Sequence, residues 1–426
     1  MPTSPYKVDL HLHSYASNVT DYYAANAFAI PESYSDPIKL HRLLKQRGMS
    51  LVTLTDHNSI EGVQVMLAAG LEDVFISAEM TTTFPEDGCN IHVTVANMSE
   101  AQFAEVQRAR GNIYEMIAYL DEQIAGEPGR PGCNKLVYFM THPLMSTQNR
   151  PYGREGALTV EHIERALLLC NCIEVHNGSR TRALNELTHR LIRSLDRPTI
   201  ERLANRHDIA PKGPTPWKKA LIGGSDDHSG LHPGRTWTTF DAAGARPTAN
   251  DLVEAIRRNE VGPSGAHGGP ITLAHSLLKL LHDGSTAAPH GRRAPAMATG
   301  GSVQALLRIV FDSDQRLRDR AVFQARALYH QWLGGRGRSG DSFERILESE
   351  VFAMLAEPGF RRTLGATRRT DDRIFDLATA LPDTEPSRCF INEIGAGGTS
   401  RCASMRPAIR RAISSRSTST AEQPSW

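Results

Sequence analysis

The chain has 426 residues, 40% of them hydrophobic and 22% charged, enough for one large domain of roughly 250 residues plus a further region, and too apolar to be disordered throughout. Lys and Arg total 48 against 47 Asp and Glu, and the net charge of +1 excludes the overall basic balance of an extended nucleic-acid binder. No run approaches the roughly 18 consecutive apolar residues of a membrane span. The start, Met1-Pro2-Thr3-Ser4-Pro5, lacks a basic segment followed by an apolar one. The six cysteines (Cys89, Cys133, Cys170, Cys172, Cys389 and Cys402) form no C-x-x-C pair, so reduced thiols in a cytoplasmic protein are expected.

In chain order, Tyr6 to Leu10 is a short apolar segment running into His11-Leu12-His13-Ser14. A polar, aromatic loop is expected from Tyr15 to Ser35. Asp36-Pro37 then opens a helix, because Asp caps free N–H groups and Pro fits the first helical position. Ile38, Leu40, Leu43 and Leu44 give it an apolar face, and Gly48 ends it. Ser50 to Thr55 reads as a strand ending at Asp56-His57-Asn58, Asp73 to Ala78 as one ending at Glu79, and Asn90 to Ala96 as one containing His92. Ala101 to Ile124 has helical periodicity. Leu136 to Met140 is a buried-strand run ending at Thr141-His142-Pro143. Val160 to Leu169 is helical, and Cys172 to Val175 is a strand followed by His176-Asn177-Gly178. Arg180 to Asn205 is mostly helical with a break at Pro198, and Ala220 to Gly224 is a strand ending at Ser225-Asp226-Asp227-His228.

Strand, polar tip and helix alternate, which predicts an α/β fold with a parallel sheet and helical crossovers. Nearly every strand ends in His, Asp or Glu, and in a closed (β/α) barrel all those ends meet on one face. Beyond about Ala266 the character changes. Four regions are expected: a metal-dependent domain over 1–270, a helix and Gly/Ala/Pro-rich linker over 271–302, a helical region over 303–381, and a disordered Arg/Ser/Thr-rich tail over 382–426. The abrupt change of composition in the tail also fits a truncated or frame-shifted reading frame.

His11 and His13 at a strand end can clasp one metal ion, since residues i and i+2 project to the same side of an extended chain. Alone, an H-x-H pair is weak. Joined by His57, Glu79, His92, His142, Asp226 and His228, each in or just after an expected strand, it becomes a candidate centre with ligands equally suited to Mn, Zn or Fe.

This constellation resembles the PHP family, the polymerase-and-histidinol-phosphatase superfamily. The resemblance is carried by Asp9-Leu10-His11-Leu12-His13-Ser14, Thr55-Asp56-His57, the Glu79 strand end, Ile91-His92-Val93, Thr141-His142-Pro143, Ile173-Glu174-Val175-His176-Asn177 and Gly224-Ser225-Asp226-Asp227-His228, in the family's order, to about Trp237. It implies a distorted seven-stranded (β/α) TIM-like barrel, here with a helical C-terminal extension, and two or three divalent ions. Carried over by residue, it implies that His11, His13, Glu79 and Asp226 hold part of the cluster and that His57, His92, His142 and His228 complete it. Glu79, with two oxygens, suits a bridge between ions. Asp56 is expected to orient a histidine. Glu174, His176 and Asn177 could support the rim or serve only packing and turn formation. Relatives commonly carry an acidic residue five positions after the second histidine of H-x-H, where this chain has Asn18, so a third ion is left open; Asp21 lies nearby. The Tyr15–Ser35 stretch is read either as a lid over the metals or as a packed loop.

The implied activity is hydrolysis of phosphate esters of a small metabolite or nucleotide by a metal-bridging hydroxide, with Asp226 available for proton transfer. Arg180 and Arg235, just past strand ends, could grip a phosphate. His189, His207, His232, His267, His275, His282 and His290 are read as surface or linker residues. Three alternatives remain: a 5′→3′ exonuclease or nucleotide phosphatase on short substrates, a hydrolase of C–N bonds, and a non-catalytic regulatory domain linked to a module such as a glycosyltransferase. Extended nucleic-acid binding and membrane association are disfavoured. Deleting the chain after Leu381 is expected to leave the melting temperature nearly unchanged; a large drop in a thermal melt would show that the tail belongs to the fold.

Overall fold

The computed structural model of the chain describes residues 5–17, 32–126, 135–145, 155–269 and 342–351, together with positions 272, 276, 279, 280 and 283. The strands are β1 (Tyr6–Val8), β2 (Ser77–Phe84), β3 (Cys89–Ala96), β4 (Val137–Met140), β5 (Cys172–Asn177), β6 (Ala220–Gly224), β7 (Thr236–Phe240) and β8 (Val261–Gly265). The helices are α1 (Pro37–Gln46), α2 (Glu61–Ala68), α3 (Glu100–Ala109), α4 (Ile113–Ala125), α5 (Val160–Leu169), α6 (Arg182–Arg193), α7 (Arg197–His207), α8 (Ala249–Arg257) and the short α9 (Phe343–Arg345), which continues as a π-helix over Ile346–Val351.

Local chemistry sets the helix boundaries. The Asp36 carboxylate accepts from the Ile38 and Lys39 amides and starts α1, with Pro37 in its first turn. Ser99 with Gln102 and Thr159 with His162 form reciprocal caps on α3 and α5. The single helix expected over 101–124 is two helices, because the Asn112 side chain caps the Tyr114 amide and restarts the chain as α4. The break expected at Pro198 falls between α6 and α7, where Asp196 caps the Thr199 amide.

The strands form two sheets, ordered β2-β3-β4-β5-β6 and β1-β7-β8. The expectation of an all-parallel sheet is corrected: β2/β3 and β3/β4 are antiparallel, β4/β5 and β5/β6 are parallel, and the three-stranded sheet is antiparallel. β2 and β3 are joined by a short turn rather than a helix, which permits only antiparallel pairing. Among the described residues no closed seven-stranded ladder forms. The segments expected as strands at 10–13 and 50–57 join their neighbours through isolated parallel bridges, Leu12 with Asp227, Val52 with Val74 and His57 with Glu79. The reason lies in the polar tips. Thr55 Oγ1 accepts from the Leu12 amide, Asp56 Oδ1 from the Ser14 amide and Asp9 Oδ1 from the Ser225 amide, so side-chain oxygens occupy donors that a ladder would use.

Three apolar clusters flank this framework. The largest lies between β2–β5 and helices α3–α7, and Phe343, Ile346, Leu347 and Val351 belong to it. A second joins Val8, Phe139, Ile222 and Phe240 to α8, and a third joins Leu12 and Leu54 to α1 and α2. Cys89, Cys170 and Cys172 are buried free thiols. No helix among the described residues is long and apolar enough to cross a membrane.

Of the expected regions beyond 270, positions 272, 276, 279, 280 and 283 are helical and 342–351 packs on the domain; the remainder, including the 382–426 tail, lies outside the described residues. Arg190 makes a bidentate ion pair to Glu350, with Nη1 and Nη2 at 2.9 and 2.8 Å from its two oxygens. Phe343 is 1% exposed within the largest cluster. Phe343→Ala should therefore cost about 3–5 kcal/mol of stability, read as a lowered midpoint in urea; a midpoint unmoved from wild type would show that 342–351 is not part of the core.

Candidate metal centre

The site is assembled where β2, β3, β4, β5 and β6 present polar residues beside the 9–14 and 56–58 segments. Asp9 is the joint between two of them. Its Oδ1 accepts from the His11 and Ser225 amides and its Oδ2 from the Gly234 amide, at 3.2, 2.8 and 2.7 Å. Burial nonetheless pushes its pKa up to about 6. Gly224 closes the same joint, since a Cβ there would lie 2.4 Å from the His11 Cβ. Asp226 and His142 follow with φ of +50° and +28°, a backbone region costly for residues with side chains. The tight turns aim both side chains inward.

At the centre is Glu79, with no solvent exposure. Its Oε2 lies 3.1 Å from His11 Nε2, 3.4 Å from His13 Nε2 and 3.4 Å from His57 Nδ1. Its Oε1 lies 3.0 Å from His92 Nδ1 and 3.1 Å from His142 Nε2, and accepts from Thr141 Oγ1 at 2.6 Å. Asp226 Oδ1 faces the same cluster, 3.4 Å from His11 Nε2, 3.6 Å from His13 Nε2 and 3.6 Å from His228 Nδ1. All eight residues expected as ligands thus come together. Four trios among them bring donor atoms within 4.8 Å of one another and could hold an ion: His11/His13/Glu79, His11/His142/Asp226, His57/Glu79/His92 and His13/His57/His228. Around a divalent ion with ligand bonds of about 2.1 Å, neighbouring donors sit about 3.0–3.4 Å apart, close to the spacings seen here. His13 Nε2 and His228 Nε2 are buried with no hydrogen-bond partner among the described residues. Buried imidazole nitrogens facing carboxylates without a proton shared between them fit a metal.

The surrounding hydrogen bonds choose the tautomers. His13 Nδ1 is 3.3 Å from Ser17 Oγ, which itself donates to Asp56 Oδ1 at 3.2 Å and accepts from the His57 amide. The hydroxyl proton is thus committed to Asp56, so His13 Nδ1 carries the donor and Nε2 keeps its lone pair. Asp56 orients the histidine through Ser17. Glu174 does this for His11: its Oε1 is 2.9 Å from His11 Nδ1, while its Oε2 accepts from the His142 amide and from Asn177 Nδ2. The packing role weighed for Glu174 and Asn177 is therefore incomplete, since both hold the site, Asn177 Nδ2 also donating to Asp226 Oδ2 at 3.0 Å.

The electrostatics follow from these contacts. Burial favours neutral Glu79 and Asp226, yet His11, His92 and His57 hold the first well below the usual carboxylate range, and His11 and Arg180 do so for the second. Burial also opposes charge on His11, but Glu79, Glu174 and Asp226 outweigh it and raise its pKa well above the ordinary value. His13 is pushed down to about 3 by burial and by His228, and burial also lowers His228, so both rings are neutral donors of lone pairs.

Among the residues expected to bind phosphate, Arg180 Nη2 lies 3.2 Å from Asp226 Oδ2. Arg235 instead approaches His232, with Nη1 3.5 Å from Nδ1, and makes no contact with the cluster among the described residues. Several histidines read as surface residues are packed: His207 bonds Glu164 at 2.6 Å, His232 is buried, and His267 stacks on His176 with ring centroids 4.3 Å apart. Their positions follow from tertiary packing, which no local pattern records. His275, His282, His290, Asn18 and Asp21 lie outside the described residues. Sequence reasoning missed Glu32, whose Oε2 is 3.3 Å from His57 Nε2 and whose Oε1 is 3.8 Å from His228 Nε2. No motif singles it out; its only cue is a carboxylate in a stretch read either as a lid over the metals or as a packed loop.

No family model matches the chain, and no curated protein matches it. Among solved structures it is similar to PsfC from Pseudomonas syringae PB-5123, with 16% identity, TM-score 0.41, and 66% of this chain and 99% of that one covered. It is similar to a protein described as a candidate metal-dependent phosphoesterase from Bifidobacterium adolescentis, with 15% identity, TM-score 0.29, and 61% and 99% covered. It is also similar to an amidohydrolase from Chromobacterium violaceum holding sulfate and no metal, with 18% identity, TM-score 0.31, and 58% and 96% covered. At identities and scores this low, none of them establishes a shared activity.

Glu174→Gln replaces one of two accepting oxygens by an NH2, which then faces either the His11 ring or the His142 amide and Asn177, all of which donate to Glu174. It should weaken the tightest divalent ion about 10- to 100-fold in a chelator competition while leaving the circular dichroism spectrum unchanged; wild-type affinity would show that Glu174 only packs.

Proposed function

We propose that this chain is a metal-dependent hydrolase of phosphate esters, built as a distorted seven-stranded (β/α) barrel of the PHP type and holding two or three divalent ions of Mn, Zn or Fe. The observation that carries the reading is the division of labour at Glu79, whose Oε2 faces His11, His13 and His57 while Oε1 faces His92 and His142. A buried carboxylate that turns its two oxygens to two sets of imidazoles is arranged to bridge two ions. The isolated bridges at Leu12, Val52 and His57, which link β6 to β2 through the N-terminal segments, support the barrel reading.

In this reading His11, His13, Glu79 and Asp226 would hold one ion, His92 and His142 with Glu79 could hold a second, and His57 with His228 could hold a third. Bound ions supply a hydroxide at neutral pH and neutralise charge on the phosphate oxygens. The protein's own part is positioning. Glu174 and the Ser17–Asp56 pair fix which nitrogen of His11 and His13 faces the centre. Asp226, kept ionised by His11 and Arg180, is suited to ligation rather than to donating a proton.

Arg180 and His228 are the most exposed of the clustered side chains, at 18% each. They mark the edge at which a substrate meets the site, and a guanidinium there matches a phosphate oxygen better than a neutral group. The substrate in this reading is a small phosphorylated metabolite or nucleotide. Arg235 is left out of this role, because its described neighbour is His232.

His57→Ala and Asp226→Ala should each lower metal-dependent turnover of a phosphate-ester panel about 100-fold or more with an unchanged circular dichroism spectrum. Unaltered turnover in both variants, or wild-type protein holding less than one ion by elemental analysis after supplementation with Mn and Zn, would refute the reading.

A further inference from the structure

We propose that Glu32 is itself a metal ligand, supplying to the ion held by His57 and His228 a carboxylate that comes from the far end of the loop after His13. The inference rests on the metal-centre reading above and deepens it. Glu32 is 6% exposed, although Glu at a loop end normally turns to water. Its two oxygens are divided between two rings: Oε2 is 3.3 Å from His57 Nε2 and Oε1 is 3.8 Å from His228 Nε2. Among the described residues, those two histidines and His13 form the one trio of close donor atoms that contains no carboxylate. The other three trios each include Glu79 or Asp226.

Chemistry explains why a carboxylate is needed there. The trio of His13, His57 and His228 contains no carboxylate, so it brings no anionic ligand to offset a divalent ion. The rings of His13 and His228 stack with centroids 4.1 Å apart, and those of His13 and His57 at 4.6 Å. Glu32 borders two of these three rings, at 3.3 Å from His57 Nε2 and 3.8 Å from His228 Nε2. His228 Nδ1 lies 3.2 Å from the Asp226 carbonyl oxygen and donates to it, which leaves the free lone pair on Nε2, 3.8 Å from Glu32 Oε1.

The test counts ions in the full-length chain, supplemented with Mn or Zn and freed of loose metal, for wild type and for Glu32→Gln. The expected result is one fewer ion per chain in the variant, the remaining ions keeping wild-type affinity in a chelator competition. An unchanged count at unchanged affinity would overturn the proposal while leaving the Glu79 centre standing. A wild-type count below one would overturn the centre and this inference with it. Should Glu32→Gln fail to fold by circular dichroism, Glu32→Asp, which keeps the charge and shortens the reach by one methylene, decides the matter. At least a tenfold loss of affinity for a single ion, of the order set by misplaced ligand support, upholds the assignment; wild-type affinity for every ion refutes it.

Discussion

A fully buried carboxylate is costly unless positive charge or hydrogen bonds surround it, and Glu79 is offset by His11, His92 and His57 and by the Thr141 hydroxyl. The arrangement leaves little slack. Moving any one of β2, β3 or β4, or the segments bearing His11, His13 and His57, would strand a charge in an apolar interior. Much of the architecture can be understood as keeping these strands at the spacing the cluster needs. His11 is the pivot, because it faces Glu79 and Asp226 through one nitrogen and Glu174 through the other.

The strand framework near the cluster is held less by regular ladders than by polar side chains. Asp9, Thr55 and Asp56 accept backbone amides from neighbouring segments, and the chain between β6 and β2 meets its neighbours at single bridges. Such contacts tolerate the sharp turns at His142 and Asp226, where positive φ angles point ligand candidates inward. Rigid strands alone would carry those side chains along the sheet normal. Turns braced by carboxylates bring several nitrogens to one point.

Around this polar centre the apolar clusters supply stiffness. α3 to α7 cover one face of the five-stranded sheet, and the 342–351 segment extends that cover across α6 through Phe343, Ile346 and the Arg190–Glu350 pair. Residues more than 150 positions beyond α6 in the chain therefore support the elements that carry Glu174 and Asn177. The boundary at about residue 270, where composition changes, does not mark the end of the chain's contribution to this core.

Much of the candidate site was legible in the sequence, because metal ligands must be His, Asp or Glu and the barrel pattern predicts that strand ends converge. His11, His13, His57, Glu79, His92, His142, Asp226 and His228 were all marked by residue type and by place after an apolar run. Element boundaries such as Val160–Leu169 and Ala220–Gly224 followed from periodicity for the same reason. Strand direction was not legible: β2 to β4 pair antiparallel because a short turn joins β2 to β3, a choice made by loop geometry. Nor was the part played by Glu32, Glu174 and Ser17, whose meaning depends on which ring nitrogen they face. Sequence determined which side chains could bind an ion; only the tertiary structure decided which of their atoms meet, since that is fixed by contacts between residues up to about 215 positions apart.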